Sequence, residues 1–467
     1  MDEFYRKNAD LYESLVAKFE PPPVVRGRAS DSGGSIPDML VAARVRPLLD
    51  EDIAAGFPTA VFSRPTPPGV IDVHDLYNHP RGRPILKSFT HQVDKLFDAQ
   101  ATTEEMYQGS LLHLVPFAWN GGIATLFAYG QTGSGKTFTI SRLEELVVKS
   151  LMEGDHLNDE REIYLTIIEL AGNSAFDLLN SRAPIPIRED VSGVTQLVGA
   201  TEYRVQGEED ALSKIKEASA FRKTASTLKN DASSRSHAIC RIRIKDPSTE
   251  ADDGLLYLID LAGSEFARDV AVHGADRMRE TKEINLSLSV LKDCIRGMAE
   301  ADALTRLPGP KSKKAVRIPF RGSALTKVLK HAFDPSSSRP RKMVVVACAN
   351  PSLADVGATK NTLRYAEMLR VTGQQMGEVE YDPGSPGTWD NAQLREWIVQ
   401  NSGSPPISPD ILAPTESGAQ LLQLTAMEFE YRCTKSRGVL SKQAKSFRAK
   451  FWELHAQSQA VQGTYDT

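Results

Sequence analysis

The stretch Ala124-Thr-Leu-Phe-Ala-Tyr-Gly-Gln-Thr-Gly-Ser-Gly-Lys-Thr137 decides the fold of this chain. Its first six residues form an apolar run typical of a buried strand, and Gly130 to Thr137 match the pattern GxxxxGK[ST] in full. A helical pattern follows. This order turns backbone N–H groups and a helix N-terminus toward a phosphate. The stretch therefore predicts a phosphate-binding loop, and an incidental glycine-rich turn is the less favoured alternative.

Each residue of this loop has a predicted task. Lys136 would reach the β- and γ-phosphates of a nucleotide, and Thr137 would offer its hydroxyl to Mg²⁺. The nucleotide-binding backbone would be that of Gly130, Gln131, Thr132, Gly133, Ser134 and Gly135.

Two further motifs suit a nucleotide-hydrolysing site. Leu255 to Ile259 form a buried-strand run that ends in Asp260, and Gly263 and Glu265 follow. An acid at that strand end can hold the Mg²⁺ shell, and a glycine after it lets an N–H approach the γ-phosphate. The stretch Ser233-Ser-Arg-Ser236 offers three hydroxyls and a guanidinium, which suits a loop that orders around a γ-phosphate. Alone, each of these motifs is commonplace.

Apolar runs alternate with helical patterns from Met39 to about Gly373, which predicts an α/β fold. We expect a P-loop NTPase with a central, mostly parallel sheet flanked by helices. Strands are predicted at 40–45, 124–129, 163–170, 239–244, 255–259 and 343–348. Helices are predicted at 103–118, 208–226, 277–299, 322–333 and 358–371.

The three motifs, in this order and spacing, resemble the P-loop, switch I and switch II of the kinesin motor domain. The resemblance covers about Met39 to Val371. Further matching stretches are Arg44–Pro47, Val93–Asp98, Ile284-Asn285, Ile318–Arg321 and Asn361–Ala366. The resemblance implies an ATP hydrolase that uses ATP and Mg²⁺ and is stimulated by microtubules.

The resemblance also implies roles for individual residues. Arg44, Arg46 and Pro47 would flank the adenine, with the Phe138 ring beside it. Ser233 and Ser234 would hold the Mg²⁺-bound and attacking waters, and Asp260 would hold Mg²⁺ through water. Arg235 would pair with Glu265 when the switches close, and Gly263 would sense the γ-phosphate.

Within that family, Gly121–Phe127, Leu291–Arg296 and Phe320–Ser323 resemble the kinesin-13 branch, which implies depolymerisation of microtubule ends. A walking or gliding motor, and an adaptor that hydrolyses ATP weakly, are the alternatives. Leu286 and Ala324 stand where the family usually has lysines that face the filament. The loop after the second strand lacks the Lys-Val-Asp tip of depolymerisers, and the loop that normally follows the P-loop helix start is almost deleted between Thr139 and Glu145.

The charge balance excludes a globally basic, histone-like protein, because the 467 residues carry a net charge of −4. From Ala303 to Phe333, however, there is no acid. The predicted microtubule contacts in this stretch are Lys311, Lys313, Lys314, Arg317, Arg321, Lys327 and Lys330. A solvated loop is the alternative, and nucleic acid is not favoured because no aromatic residues interleave a basic motif.

The predicted organisation has four parts: an N-terminal helix and linker (1–38), a motor domain (39–373), a linker (374–387) and a helical domain (388–460). The first helix would dock on the core or bind a partner. The last part resembles a sterile alpha motif, which implies a protein partner or self-association, and a helical appendage packed on the motor is the alternative. Four scattered cysteines, no membrane-length apolar run and no signal-peptide core predict a soluble protein of the cytoplasm and microtubule cytoskeleton, without a membrane partner.

Overall fold

The computed structural model divides into two compact units, one in the residues up to 374 and one in the residues from 382. The structure describes residues 2–22, 38–78, 82–153, 161–190, 195–227, 234–248, 252–264, 275–306, 316–334, 339–374, 382–389, 391–414, 418–422, 424 and 426–464. No helix in these ranges combines the length and the apolar character needed to cross a membrane.

The strands of the first unit are β1 (Met39–Val45), β2 (Val61–Ser63), β3 (Val70–Tyr77), β4 (Ile85–Gln92), β5 (Lys95–Phe97), β6 (Ile123–Tyr129), β7 (Glu162–Ala171), β8 (Ser174–Asp177), β9 (Ala183–Ile185), β10 (Ile187–Glu189), β11 (Thr195–Leu197), β12 (Tyr203–Arg204), β13 (His237–Lys245), β14 (Gly254–Asp260) and β15 (Arg341–Ala349). Its helices are α1 (Asp2–Lys7), α2 (Ala9–Val16), α3 (Asp50–Ala54), α4 (Thr103–Ser110), α5 (Leu114–Trp119), α6 (Lys136–Met152), α7 (Glu208–Thr227), α8 (Ala275–Arg306), α9 (Ala324–Val328), α10 (Lys330–Phe333) and α11 (Val356–Gln374).

The central sheet carries the strand order β5-β1-β15-β6-β14-β13-β7-β8-β9, with β12 also paired to β7. All six predicted strands are present, and the predicted P-loop architecture is confirmed. The sheet is mixed, however, rather than mostly parallel. The parallel pairs are β5–β1, β1–β15, β15–β6 and β6–β14. The pairs β13–β14 and β7–β8 are antiparallel, because the chain between the two strands of each pair is too short for the crossover that a parallel pair needs.

Two predicted helices are broken. The helix predicted at 103–118 ends at Ser110 and restarts at Leu114, because Pro116 lacks the N–H that a continuous helix would need there. The helix predicted at 322–333 starts at Ala324, because Ser323 is extended and caps α9, its hydroxyl accepting from the Thr326 N–H. It is then divided at Leu329, whose backbone leaves the helical conformation between α9 and α10. In contrast, α6 runs without interruption, which confirms the predicted loop deletion after the P-loop.

The N-terminal helices lie against a small antiparallel sheet of β2, β3 and β4. Tyr5 donates to Asp75 Oδ1 at 3.0 Å, and Tyr12 donates to the Thr59 carbonyl at 3.0 Å. Both rings are buried in the main core. This is the docked arrangement, one of the two alternatives for this segment.

The second unit contains α12 (Asn391–Asn401), α13 (Pro409–Leu412), α14 (Gly418–Leu422), α15 (Ala426–Thr434) and α16 (Ser441–Thr464) around an aromatic core. Trp389, Phe429, Phe447 and Phe451 are buried there. Asp382, in the predicted linker, contacts this core, since the Trp389 indole N–H donates to the Asp382 carbonyl at 2.7 Å. The predicted boundaries and the sterile alpha motif resemblance stay predictions.

Candidate functional site

The glycine-rich loop joins β6 to α6 at the carboxyl ends of the parallel strands. Gly135 caps α6 with φ 93°, a left-handed conformation that favours glycine. Gly130 approaches the neighbouring strand so closely that a Cβ would lie 2.3 Å from the Cys348 carbonyl oxygen. The loop therefore curls over the sheet edge and leaves the first N–H groups of α6 available for an anion.

Lys136 is the first residue of α6 and is buried. Its ammonium donates to the Gln131 carbonyl oxygen at 2.8 Å, inside the same loop. The charge is thereby held where the predicted phosphates would lie.

Thr137 and Asp260 meet at the end of β14, as the two motifs require. The Thr137 hydroxyl donates to Asp260 Oδ2 at 2.8 Å. The second carboxylate oxygen, Asp260 Oδ1, is buried without a hydrogen-bond partner among the described residues. A buried carboxylate oxygen beside a hydroxyl is a hard-oxygen donor set, so these residues fit Mg²⁺.

Arg222 on α7 is a site residue that the sequence patterns missed. Its guanidinium donates to Asp260 Oδ2 at 2.6 Å and to the Ser236 carbonyl at 2.8 Å, and the ion pair is almost fully buried. Burial, with a smaller contribution from the Asp260 charge, raises the pKa of the nearby Glu144 carboxyl to about 8. This shift favours the protonated form of Glu144 near neutral pH and so lowers the negative charge beside Asp260.

The two predicted switch segments contact each other and the phosphate loop. The Gly263 N–H donates to the Ser234 carbonyl at 2.8 Å, and the Ser264 N–H donates to the Gly130 carbonyl at 3.1 Å. Arg235 is partly exposed beside them. Ser233 and Glu265, predicted to hold water and to pair with Arg235, lie outside the described residues.

His237 connects this region to the long helix α8. Its Nδ1 accepts from the Ala262 N–H at 3.0 Å, so Nε2 carries the proton and lies 2.8 Å from Ser287 Oγ. Ser287 in turn donates to the Ile284 carbonyl. Burial, reinforced by the Arg222 charge, lowers the pKa of this imidazole to about 3, which keeps it neutral at physiological pH. The sequence patterns assigned this histidine no role.

The residues predicted to flank the adenine lie together beside the loop. The Arg44 guanidinium donates to Thr139 Oγ1 at 2.9 Å and lies 5.5 Å from the Phe138 ring centroid. The Phe138 side chain is 69% exposed, which leaves its ring available to a ligand. Arg46 donates from Nε to the Gly133 carbonyl at 2.7 Å and from Nη1 to the Pro47 carbonyl at 2.7 Å.

An acid from another part of the chain, Glu189, lies at the predicted filament surface, although the stretch 303–333 itself contains none. Arg317, Arg321 and Lys327 are exposed, but Glu189 on β10 accepts from both Arg321 Nε at 2.9 Å and Lys330 Nζ at 3.1 Å. The Arg321 hydrogen bond, followed by that of Lys330, lowers the pKa of the Glu189 carboxyl. Lys311, Lys313 and Lys314 lie outside the described residues.

The two departures from the family pattern differ in their surroundings. Leu286 is 52% exposed on α8, so an apolar side chain replaces a lysine on the surface. Ala324 is buried at the start of α9, where a lysine would need to extend its ammonium past its neighbours.

Comparisons with known proteins identify the family of the chain. The kinesin motor domain family matches residues 44–372. Diatom spindle kinesin-1 of Cylindrotheca fusiformis is 32% identical over 364 residues, covering 77% of this chain and 53% of its own. The kinesin-like protein KIN-13B of Arabidopsis thaliana is 35% identical over 287 residues, covering 59% of this chain and 39% of its own. The chain thus spans about half or less of these curated relatives.

Solved structures show the same fold. A kinesin motor ATPase solved in mutant forms superposes with a TM-score of 0.56 at 26% identity, covering 73% of this chain and 99% of its own. A fast kinesin superposes with a TM-score of 0.57 at 27% identity, covering 71% and 91%.

Proposed function

The chain belongs to the kinesin motor family and carries its ATPase domain, and we propose that it hydrolyses ATP with Mg²⁺ in a reaction that microtubules stimulate. The contact between Thr137 and Asp260, beneath the phosphate loop, carries this proposal. Mg²⁺ bound there would neutralise charge on the phosphates. Such a protein acts on the microtubule cytoskeleton of the cytoplasm.

The residues of the chain divide the work of hydrolysis. Lys136 and the N–H groups at the start of α6 bind and orient the phosphates. The Gly263 N–H donates to the Ser234 carbonyl and would exchange that partner for a γ-phosphate oxygen. Ser233 would position the attacking water, and the Arg235–Glu265 pair would accept its proton by a water relay. Because His237 joins the residue before Gly263 to α8, such an exchange has a direct route to the filament side.

We further propose that the chain shortens microtubules from their ends, as the resemblance to the kinesin-13 branch implies. The similarity to KIN-13B and to KIN-13A of Oryza sativa supports this activity. The exposed Leu286 and the missing Lys-Val-Asp tip distinguish the chain from that pattern.

A direct test combines ATP turnover with imaging. We expect phosphate release to rise at least about tenfold with microtubules or tubulin dimers, because the site is completed by coupling to the filament. We also expect stabilised microtubules to shorten in ATP. If microtubules glide without shortening, the activity is motility and not depolymerisation. If neither microtubules nor tubulin dimers stimulate ATP turnover, the motor proposal is wrong.

Glu189→Gln should strengthen microtubule binding by about 2–5-fold and steepen its salt dependence, because the change removes the acid that engages Arg321 and Lys330. The half-saturating microtubule concentration in the ATPase assay should fall, while the maximal rate stays constant. Glu153→Gln is the matched control, since Glu153 pairs with Lys149 on α6, away from this surface. Equal affinities for all three proteins would show that Glu189 does not limit binding.

A further inference from the structure

The C-terminal unit segregates its charges sharply. Seven of the eight Lys and Arg residues in 376–467 lie between Arg432 and Lys450, and that stretch contains no Asp or Glu. The motor stretch from Ala303 to Phe333 is the other long acid-free basic segment discussed above. The C-terminal segment needs an explanation of its own, because the motor site does not use it.

These charges lie along one ordered segment made by the end of α15, the following turn and the first half of α16. We call the exposed set the tail basic face: Lys435, Arg437, Lys442, Lys445 and Lys450. Other residues of the same segment are buried in the core of the unit, among them Cys433, Val439, Ala444 and Phe447. The burial pattern therefore holds the five cations on the solvent side of an ordered element.

Polar contacts also fix the segment. The Ser408 N–H donates to Ser436 Oγ at 2.9 Å, and the Gln443 amide donates to the carbonyls of Ser402 and Pro405 at 2.8 and 2.7 Å. The face is thus preorganised, which lowers the conformational entropy lost when a partner binds.

The five cations have no carboxylate partner among the described residues. Glu430 pairs with Arg448, which is not part of the face. Lys450 donates to the neutral Asn401 Oδ1 at 2.9 Å, and Lys435 lies 4.4 Å from the Tyr431 ring centroid. The face therefore keeps its positive charge for an external polyanion.

We propose that the tail basic face binds the acidic tail of tubulin and gives the chain a second, nucleotide-independent attachment to the microtubule; this inference rests on the proposed function. A polypeptide is favoured over nucleic acid because the Trp389, Phe447 and Phe451 rings are buried in the core, and the exposed Tyr431 ring beside the face is already in contact with the Lys435 ammonium. Single-stranded nucleic acids are instead bound by several aromatic rings on which successive bases stack. Leu440, 72% exposed within the face, suits an apolar side chain of a peptide, whereas a membrane-binding helix needs a broad apolar side.

Two attachments on one chain have a predictable consequence. Once the motor is bound, the second contact becomes intramolecular, so modest affinity at each site gives a long residence on the filament. Because exposed charges are screened over about 8 Å at physiological ionic strength, this contribution should weaken as salt rises.

The test is microtubule cosedimentation of the full chain in ADP at low and physiological salt. The quadruple variant Lys435→Gln, Arg437→Gln, Lys442→Gln and Lys445→Gln should bind about tenfold more weakly at low salt. Microtubules whose acidic tails have been removed by limited proteolysis should bind the unaltered chain and the quadruple variant equally. Circular dichroism of both proteins confirms that the fold is retained.

Two control variants separate charge from other effects. The set Lys18→Gln, Lys149→Gln, Lys216→Gln and Lys245→Gln makes the same charge change at exposed lysines of the first unit and should retain binding. The charge-preserving set Lys435→Arg, Lys442→Arg and Lys445→Arg should also retain it. Loss of binding in either control set would overturn the inference.

The remaining outcomes distinguish this inference from the proposed function. If microtubules stimulate the ATPase of the unaltered chain and the quadruple variant with the same half-saturation, only the tail inference fails. If they do not stimulate the unaltered chain, the proposed function fails. Binding of a single-stranded oligonucleotide or of phosphatidylserine vesicles that disappears in the quadruple variant, with microtubule binding unchanged, assigns the face to another partner and overturns the inference.

Discussion

Lys136→Ala should reduce microtubule-stimulated ATP hydrolysis by roughly 10²–10³-fold, the loss expected when one preorganised charge is removed from a developing transition state. The ammonium is buried and donates to the Gln131 carbonyl, so its charge is fixed inside the phosphate loop. Phosphate release in single and multiple turnover measures the effect. Any shortening of microtubules should cease in the same variant.

Lys149→Ala is the matched control, because this lysine is exposed on the same helix and pairs only with Glu153 among the described residues. Its turnover should equal that of the unaltered chain. Lys136→Met keeps most of the side-chain volume and tests whether a packing defect in Lys136→Ala causes the loss. Turnover within about threefold of normal in Lys136→Met would contradict the assigned role, because loss of the charge alone should cost far more.

The elements that could be predicted from the sequence are those whose structure follows from a short local pattern of residues. Apart from Thr125, the run before Gly130 is apolar or aromatic because β6 is buried on both faces, and this pattern identifies a central strand without knowledge of its neighbours. Strand direction depends on connections instead. The short connection between β13 and β14 makes this pair antiparallel and the sheet mixed. The apolar runs do not show this, because they look alike in parallel and antiparallel strands.

The candidate site likewise contains residues that local motifs predict and residues that they do not. Gly130, Lys136, Thr137 and Asp260 were found from local motifs, and the structure brings Thr137 and Asp260 into contact. Arg222 reaches Asp260 from 38 residues earlier in the chain, in a helix of mixed charge that carries no motif. Glu189 is likewise distant in sequence from Arg321. Ion pairs of this kind follow from the packing of separate elements, so no window of sequence contains them.

Arg222→Met should lower the free energy of unfolding of the first unit by about 3–5 kcal/mol, because removal of one partner leaves a buried charge uncompensated. Both side chains of the Arg222–Asp260 pair are almost inaccessible to water, and Asp260 Oδ1 already lacks a partner among the described residues. Urea denaturation followed by a spectroscopic probe of the first unit measures the change. Arg142→Met, which breaks exposed pairs with Glu104 and Glu145, should cost at most about 1 kcal/mol.

A double-mutant cycle decides whether the pair itself carries this effect. Asp260→Asn should also destabilise the unit, since it leaves Arg222 as the unpaired charge, but Arg222→Met combined with Asp260→Asn should cost less than the sum of the two. A purely additive cycle would mean that Arg222 stabilises the unit through the Ser236 carbonyl and its packing instead. The combined variant separates stability from catalysis as well. It removes the carboxylate that fits Mg²⁺, so ATP turnover should stay low even where the free energy of unfolding recovers.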